Sequence, residues 1–400
     1  MKNTNQVFLN LLCAYFQNQT VVDIPTDLGA LYDLAFKHNL VPIIYEVLRK
    51  NDDFNPSSNK FMETAINQIV MQQQRTEQFL NIYQKLLAAN LKPLVIKGLV
   101  CRQLYPQSDY RCSSDEDIWI KPEDFNNCFQ VLTNNNFRCT NKQLITDDFL
   151  NTVQTINFTN NILTIEVHIN PFGTLDALHK QMNSYFKDAF DTSISTKVEN
   201  QLIYTLEPTK HYLFLIIHLY KHFISAGVGI RQVLDILIFY QHYQKDIDNN
   251  QIKTILKSLH INNLYDAIMQ IGKKYLGFNL IPNDQVINNI DELTDNLIEN
   301  GCFGTNDVNQ VYSSLYTTVS SRNQDTSLIK NIFTMLFPPA KQLSIRYPKL
   351  KEKPFLYPWF ALKRICNFSK KIITGKLNPF KAFSLGKKRT KILKDMDVFK

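Results

Sequence analysis

The chain has 400 residues, 44% of them hydrophobic and 20% charged, with only 11 glycines, which suits two or three packed domains and excludes a fibrous or disordered polymer. Its seven cysteines are scattered and odd in number, with no CxxC pair, which argues against a disulfide framework or zinc knuckle and for reduced thiols in the cytoplasm. The net charge of +8 is local: residues 351–400 hold 14 Lys/Arg against 3 Asp/Glu, and the other 350 residues hold 30 against 33.

Residues 1–90 read as helices. The start, MKNTNQVFLNLLCAYF, lacks a basic opening followed by a long apolar core, so no signal peptide is expected there. No apolar run in the chain reaches the roughly 20 residues of a spanning helix. NQVFLNLLCAYF, DLGALYDLAFKHNLVPIIYEVLRK and FMETAINQIVMQQQRTEQFLNIYQKLLAAN each repeat apolar residues at helical spacing, with NDDFNPSSNK as a loop.

The grammar changes after Leu91. LVIKG is a short β-branched run ending at Gly98, as expected of a strand entering a turn, and LVCRQLYP is a short helix stopped by Pro106. A second strand runs through DIWI. KPEDFNNCFQVLTNNNF, with Pro and acids at its start, is a helix. TVQTINF and ILTIEVHI alternate about an Asn-rich turn and form a hairpin. A short helix in HKQMNSYFKDAF and a connecting strand or loop follow. From Pro208 the chain is helical again, through KHYLFLIIHLYKHF, GIRQVLDILIFYQHYQ, NQIKTILKSL, NLYDAIMQIGKKYL and DQVINNIDELTDNLIEN, with polar loops beyond 305. The expected fold class is α+β: a small mixed sheet flanked by helical regions. The expected division is 1–90 helical, 91–203 α+β core, 204–340 helical and 341–400 an aromatic and basic ending.

Chemistry concentrates in SSDEDIWI. Alternate residues of a strand share a face, so Asp115 and Asp117 point one way and Glu116 the other. Two carboxylates about 7 Å apart along the strand can converge on a cation; without one they repel, and burial drives one towards neutrality. Their oxygens suit Mg²⁺, with Mn²⁺ as an alternative ion. In ILTIEVHI, Glu166 and His168 alternate onto one face, and an acid inside an apolar strand is costly unless it is paired or ligates metal. If this strand lies beside DIWI, Asp115, Asp117 and Glu166 make a three-carboxylate site able to serve phosphoryl transfer.

This order of features resembles the nucleotidyltransferase superfamily that includes the DNA polymerase beta-type enzymes, and more narrowly a bacterial family of uncharacterised nucleotidyltransferases. Lys97-Gly98, Tyr105-Pro106, Arg111, Asp115, Asp117 and Glu166-Val-His168 carry the likeness. HLYKHF and GVGIRQVLD extend it, as does RYPKLKEKPFLYPWFALKR. Glu116 departs from the usual apolar residue, and the turn reads Lys97-Gly98-Leu99 where Gly-Ser is usual, leaving Ser113 or Ser114 to supply a hydroxyl.

The resemblance implies transfer of a nucleoside monophosphate from an NTP to a hydroxyl acceptor. Asp115, Asp117 and Glu166 would be the catalytic metal ligands. Lys97, Gly98, Ser114, Arg111, Lys221 and Arg231 would serve the nucleotide, and His168, His218, His222 and Asp235 would support the ligands. Plainer readings stay open beside these: Lys97 as a strand-end lysine reaching solvent, Arg111 as the partner of a local acid, Arg231 as the i,i+4 partner of Asp235, and the His218, Lys221, His222, Arg231 and Asp235 group as interdomain packing. By analogy the acceptor belongs to cell-surface polysaccharide metabolism. The alternatives are a toxin- or antitoxin-like enzyme modifying tRNA or protein, and a catalytically silent nucleotide-binding scaffold.

The basic ending favours an acidic partner, either an anionic membrane surface at the inner face or nucleic acid. In RYPKLKEKPFLYPWFALKRI, the residues Phe355, Leu356, Trp359 and Phe360 are expected to dock on the protein's own core, with residues 363–400 left for lipid.

Overall fold

Three buried apolar residues, Leu94–Ile96, form strand β1 in a computed structural model of the chain. The structure describes residues 3–19, 27–54, 60–141, 145–174, 177–225, 227–280, 287, 289–301 and 349–397, with isolated positions at 313, 337, 340, 343 and 347. Most of the expected polar loops beyond 305 and residues 55–59 of the loop at 51–60 lie outside the described residues. Around β1 a seven-stranded sheet is built from β2 (Asp115–Trp119), β3 (Arg138–Cys139), β4 (Thr155–Thr159), β5 (Thr164–His168), β6 (Ile194–Val198) and β7 (Gln201–Thr205). Its order is β3-β4-β5-β2-β1-β7-β6.

The pairing is mixed. β1 runs antiparallel to β2 and parallel to β7, β2 runs parallel to β5, and the outer pairs are antiparallel. The expected hairpin is β4–β5. The stretch read as a connecting strand or loop is a second hairpin, β6–β7, and β7 joins the sheet beside β1 with β6 at the edge. Leu202 and Ile194 stay exposed, so this hairpin has weak alternation, which hid it in the sequence.

The fold is α+β, with helices before and after the sheet. α1 (Asn3–Phe16), α2 (Leu28–Lys37), α3 (Val41–Leu48) and α4 (Lys60–Ala88) precede it. The apolar run from 28 to 48 is two helices, because Asn39 adopts φ 54° and Pro42 starts the second. α4 clamps the sheet: Tyr83 Oη donates to the Pro93 carbonyl at 2.6 Å and accepts the Tyr204 N–H at 3.0 Å. After β1 the chain turns into α5 (Gly98–Arg102), and α6 (Phe125–Asn134), α7 (Asp147–Leu150) and α8 (Ala177–Ser184) lie between later strands. Then come α9 (Pro208–Ser225), α10 (Ile230–Tyr243), α11 (Asn249–Ser258) and α12 (Asn262–Tyr275).

Two compact units divide the chain. The first is Met1–Leu219 with Ile230–Gln285 and holds the whole sheet; the second is Tyr220–Gly229 with Val286–Lys400. In the second, α13 (Ile290–Asn300) faces the helix Pro379–Asp395 through Lys388–Glu299 (3.3 Å) and Lys391–Glu292 (3.5 Å). The helix Tyr357–Ile373 precedes it. The expected docking of the aromatic segment is only partial: Leu356 and Phe360 are half-buried, but Phe355 and Trp359 stand exposed. The six described cysteines are free thiols; Cys302 lies outside the described residues. Among the described residues no helix is long and apolar enough to cross a membrane.

Candidate active site

The site grows from the parallel pairing of β2 and β5, which sets Asp117 opposite Glu166, Asp115 opposite Thr164 and Trp119 opposite His168. Alternation then brings Asp115, Asp117, Glu166 and His168 to one face of the sheet. An oxygen of Asp117, an oxygen of Glu166 and a ring nitrogen of His168 all lie within 4.8 Å of one another. Asp117 and His168 are buried at the floor, while Glu166 and Asp115 are half-buried at the mouth.

Each charge has a traceable neighbour. His168 Nε2 donates to Asp117 Oδ1 at 2.9 Å, since a carboxylate can only accept. Lys97 Nζ reaches the same oxygen at 2.7 Å and donates to His218 Nε2 at 3.1 Å. Burial alone would raise Asp117, but Lys97 and His168 outweigh it and hold the carboxyl below the usual aspartate range. Burial, reinforced by repulsion from Asp117 and Asp115, pushes Glu166 up to about 7. Burial opposes the Lys97 charge, yet Asp117, Glu166 and Asp115 together raise its pKa.

These residues fit a divalent cation. One lysine cannot balance three carboxylates, and the raised Glu166 is the sign of that deficit. The two carboxylates of the 4.8 Å group, Asp117 and Glu166, are oxygen donors of the kind that hard cations such as Mg²⁺ take, with Asp115 on the same face outside it.

The opposite face of β2 explains Glu116. Its carboxylate is buried and forms an ion pair with the fully buried Arg102 of α5. Ser113 Oγ donates to Glu116 Oε1 at 3.2 Å, and the Ser113 N–H donates to Gln72 Oε1 of α4 at 2.7 Å. Arg102 also donates to Thr76 Oγ1, and Arg75 Nη1 donates to the Ser113 carbonyl at 2.7 Å. A charged network therefore replaces the usual apolar residue behind the site and anchors the 111–114 segment to α4. Gly98 belongs to it sterically, because a Cβ there would stand 2.5 Å from Glu116 Oε2. Ser113 is thereby drawn into this network, while Ser114 is exposed and its hydroxyl donates to Asp115 Oδ1 at 3.2 Å.

The turn before Gly98 is strained. Lys97 has φ 56° and ψ −118°, a conformation that costs a non-glycine residue about 1–3 kcal/mol. Its N–H is held by His211 Nε2 of α9 at 3.1 Å.

The remaining candidates separate. Arg111 pairs with an acid, but one 124 residues away: Nε and Nη2 donate to the two Asp235 oxygens at 2.8 and 2.6 Å. Tyr105 Oη donates to Asp235 Oδ1 at 2.9 Å. The Arg231 Nη1 donates to the Cys112 carbonyl. Arg111, Arg231 and Asp235 thus brace the segment before β2 against α10. Lys221 and His222 lie further along α9, in the second unit. Gln72, Arg102, Thr205 and His211 were not singled out from sequence; each acts through a partner remote in the chain, which no spacing rule reveals.

A family model described as "Uncharacterised nucleotidyltransferase" matches residues 25–277, which span α2 through α12 and the whole sheet. No curated protein matches the chain, and no solved structure matches it.

Proposed function

The chain belongs to the uncharacterised nucleotidyltransferase family, and from that premise we propose that it moves a nucleoside monophosphate from an NTP to a hydroxyl acceptor with the help of Mg²⁺, Mn²⁺ being the alternative ion. The observation that carries this reading is Asp117 standing opposite Glu166 in parallel register, with His168 beside both. Asp117 would hold the ion from the floor, and Glu166 and Asp115 from the mouth. When bound, the ion neutralises the triphosphate and lowers the pKa of the acceptor hydroxyl. The acceptor oxygen bonds to the α-phosphorus, the bond from that phosphorus to the bridging oxygen breaks, the hydroxyl proton goes to solvent, and pyrophosphate leaves.

The chain's own residues orient and neutralise. His168 holds Asp117 in one orientation through a hydrogen bond, as supporting residues commonly do for carboxylate ligands. Lys97, already drawn to Asp117, adds positive charge where phosphate oxygens arrive. The buried Arg102–Glu116 pair favours this active reading over a silent scaffold, because Glu116 is accommodated without disturbing the Asp117 face.

Calorimetry with each NTP, with and without Mg²⁺, tests the proposal, followed by transfer of label from α-³²P-NTP to glycolipid, protein and tRNA fractions. Metal-dependent binding that Asp117→Asn abolishes is expected. NTP binding indifferent to metal and to that substitution would overturn it.

A further inference from the structure

The second compact unit ends in a surface with two chemistries. The helix Tyr357–Ile373 and the turn leading into it expose Phe355 (74%), Trp359 (65%), Leu362 (54%) and Ile373 (84%). Within the helix, Trp359, Leu362 and Ile373 are spaced by three and eleven residues, with exposed Cys366 between, which returns each to one side at 100° per residue. The helix stops at Gly375, φ 68°, where an added Cβ would meet nothing within 4 Å. Just beyond that break Phe380 stands 86% exposed. Ala361 of the same helix is buried, so this outward stripe is separate from the face the helix packs with. Exposed apolar side chains in such a row mark an interaction site.

Charge selects the partner. From Lys353 to Lys394 the chain holds 12 Lys/Arg and no Asp or Glu. Lys363 and Lys370 fall beside the apolar stripe on the helix, and Lys376 sits in the turn after it, all exposed. A second copy of this surface would bring like charges together. Nucleic acid would meet the lysines but leave Leu362 and Ile373 in water. An anionic bilayer satisfies both, taking apolar side chains to the acyl boundary and lysines at the headgroups. A 17-residue helix of about 25 Å fits in the plane of the interface, and no described helix is suited to cross.

We propose that the helix face formed by Trp359, Leu362 and Ile373, flanked by the exposed Phe355 and Phe380 and with Lys363 and Lys370 beside it, is a docking surface for anionic lipid membranes.

The two tryptophans make the test direct, because Trp119 is buried and Trp359 is exposed. The full-length protein is mixed with vesicles of phosphatidylcholine alone and of phosphatidylcholine with phosphatidylglycerol, and both co-sedimentation and emission are read. The expected result is binding to the anionic vesicles with a blue shift, weakened by salt. Trp359→Phe should still sediment but lose the shift. A Phe355→Ser, Leu362→Ser, Ile373→Ser variant, checked for unchanged circular dichroism, should bind at least about tenfold more weakly. Lys363→Glu with Lys370→Glu should weaken anionic binding and leave the wild type's weak affinity for neutral vesicles unchanged. Sedimentation by wild type and triple-serine variant alike would overturn the proposal. Binding to duplex or single-stranded nucleic acid without vesicle binding would do so as well, as would self-association without it. Nucleotide binding is measured in the same samples, so the membrane result stands apart from the fate of the catalytic reading.

Discussion

His211 Nε2 accepts the backbone N–H of Lys97 at 3.1 Å, and the ring's other nitrogen is committed too. Thr205 gives its one hydroxyl proton to the Val95 carbonyl at 2.7 Å, so at 3.2 Å from His211 Nδ1 it can only accept. The ring is therefore neutral with its proton on Nδ1, and it holds the strained Lys97 in place beside Asp117. A protonated His211 would present an N–H to the Lys97 N–H and lose that bond.

This arrangement predicts the direction of acid destabilisation. Burial pushes His211 down to about 3, opposed by Asp235; its other neighbours, the Lys97 amide, the Thr205 hydroxyl and the Phe239 ring, carry no charge. In the unfolded chain a histidine titrates near about 6.5. Between those values the unfolded state binds more protons, so stability falls as pH drops, by up to about 1.4 kcal/mol per unit for this one group. Glu166, raised to about 7, binds more protons folded than unfolded and contributes the opposite slope below that value, so the His211 share is read as the difference in urea midpoint between parent and His211→Asn below about pH 6.5. His211→Asn should be less stable at neutral pH but lose less on acidification. An undiminished acid slope in that variant would remove His211 as its source.

Behind the metal face, Arg102 and Glu116 are both buried and paired, so each alone is an uncompensated charge. Removing one partner of such a pair costs about 3–5 kcal/mol, whereas replacing both with apolar residues is often close to neutral. Arg102→Met and Glu116→Leu should each lower the denaturation midpoint sharply. The Arg102→Met, Glu116→Leu double variant should recover most of the Arg102→Met loss. Gly98→Ala should cost about 1–3 kcal/mol through overpacking, because the Glu116 carboxylate it meets is pinned by Arg102 and cannot swing aside. Additive losses in the double variant would show that the pair is not coupled.

How much of this could be read in advance depends on the range of the interaction. Alternation within five residues placed Asp115 and Asp117 on one face, and Glu166 with His168 on another strand's face. The Asn-rich turn correctly joined β4 to β5. That β5 is the parallel neighbour of β2 has no local signal in the sequence, because a parallel pair is joined by a long crossover rather than a tight turn. The β6–β7 hairpin was missed for a related reason: its burial comes from lying beside β1, not from its own alternation. Glu116 looked anomalous because its partner, Arg102, sits in a helix that carries no hint of a buried charge.

At the site itself the substitutions should grade by distance from the ion. Asp117→Asn removes a ligand oxygen's charge and leaves Lys97 without its nearest acid, so metal-dependent NTP binding and transfer should both vanish. Glu166→Gln should do the same to transfer. His168→Ala keeps both carboxylates but releases Asp117, and should weaken Mg²⁺ dependence by about 10–100-fold without abolishing turnover. Mg²⁺ titrations of initial rate separate these cases. An unaltered Mg²⁺ midpoint in His168→Ala would mean that Asp117 is held by something else.

Arg111 and Asp235 separate bracing from binding. The guanidinium gives two nitrogens to the carboxylate in a buried pair, and Tyr105 adds a third donor to the same acid. Burial disfavours the Arg111 charge, but Asp235 more than compensates and raises its pKa further. A group so held cannot reach for a phosphate without leaving Asp235 buried and unpaired, at about 3–5 kcal/mol. Asp235→Ala should therefore cost about that much in stability. At temperatures where the variant remains folded, its NTP affinity should match the parent's. Arg111→Lys should also destabilise, since an ammonium cannot make the two-pronged contact. A large loss of NTP affinity in folded Arg111→Lys, with stability unchanged, would reverse the assignment and put Arg111 on the nucleotide.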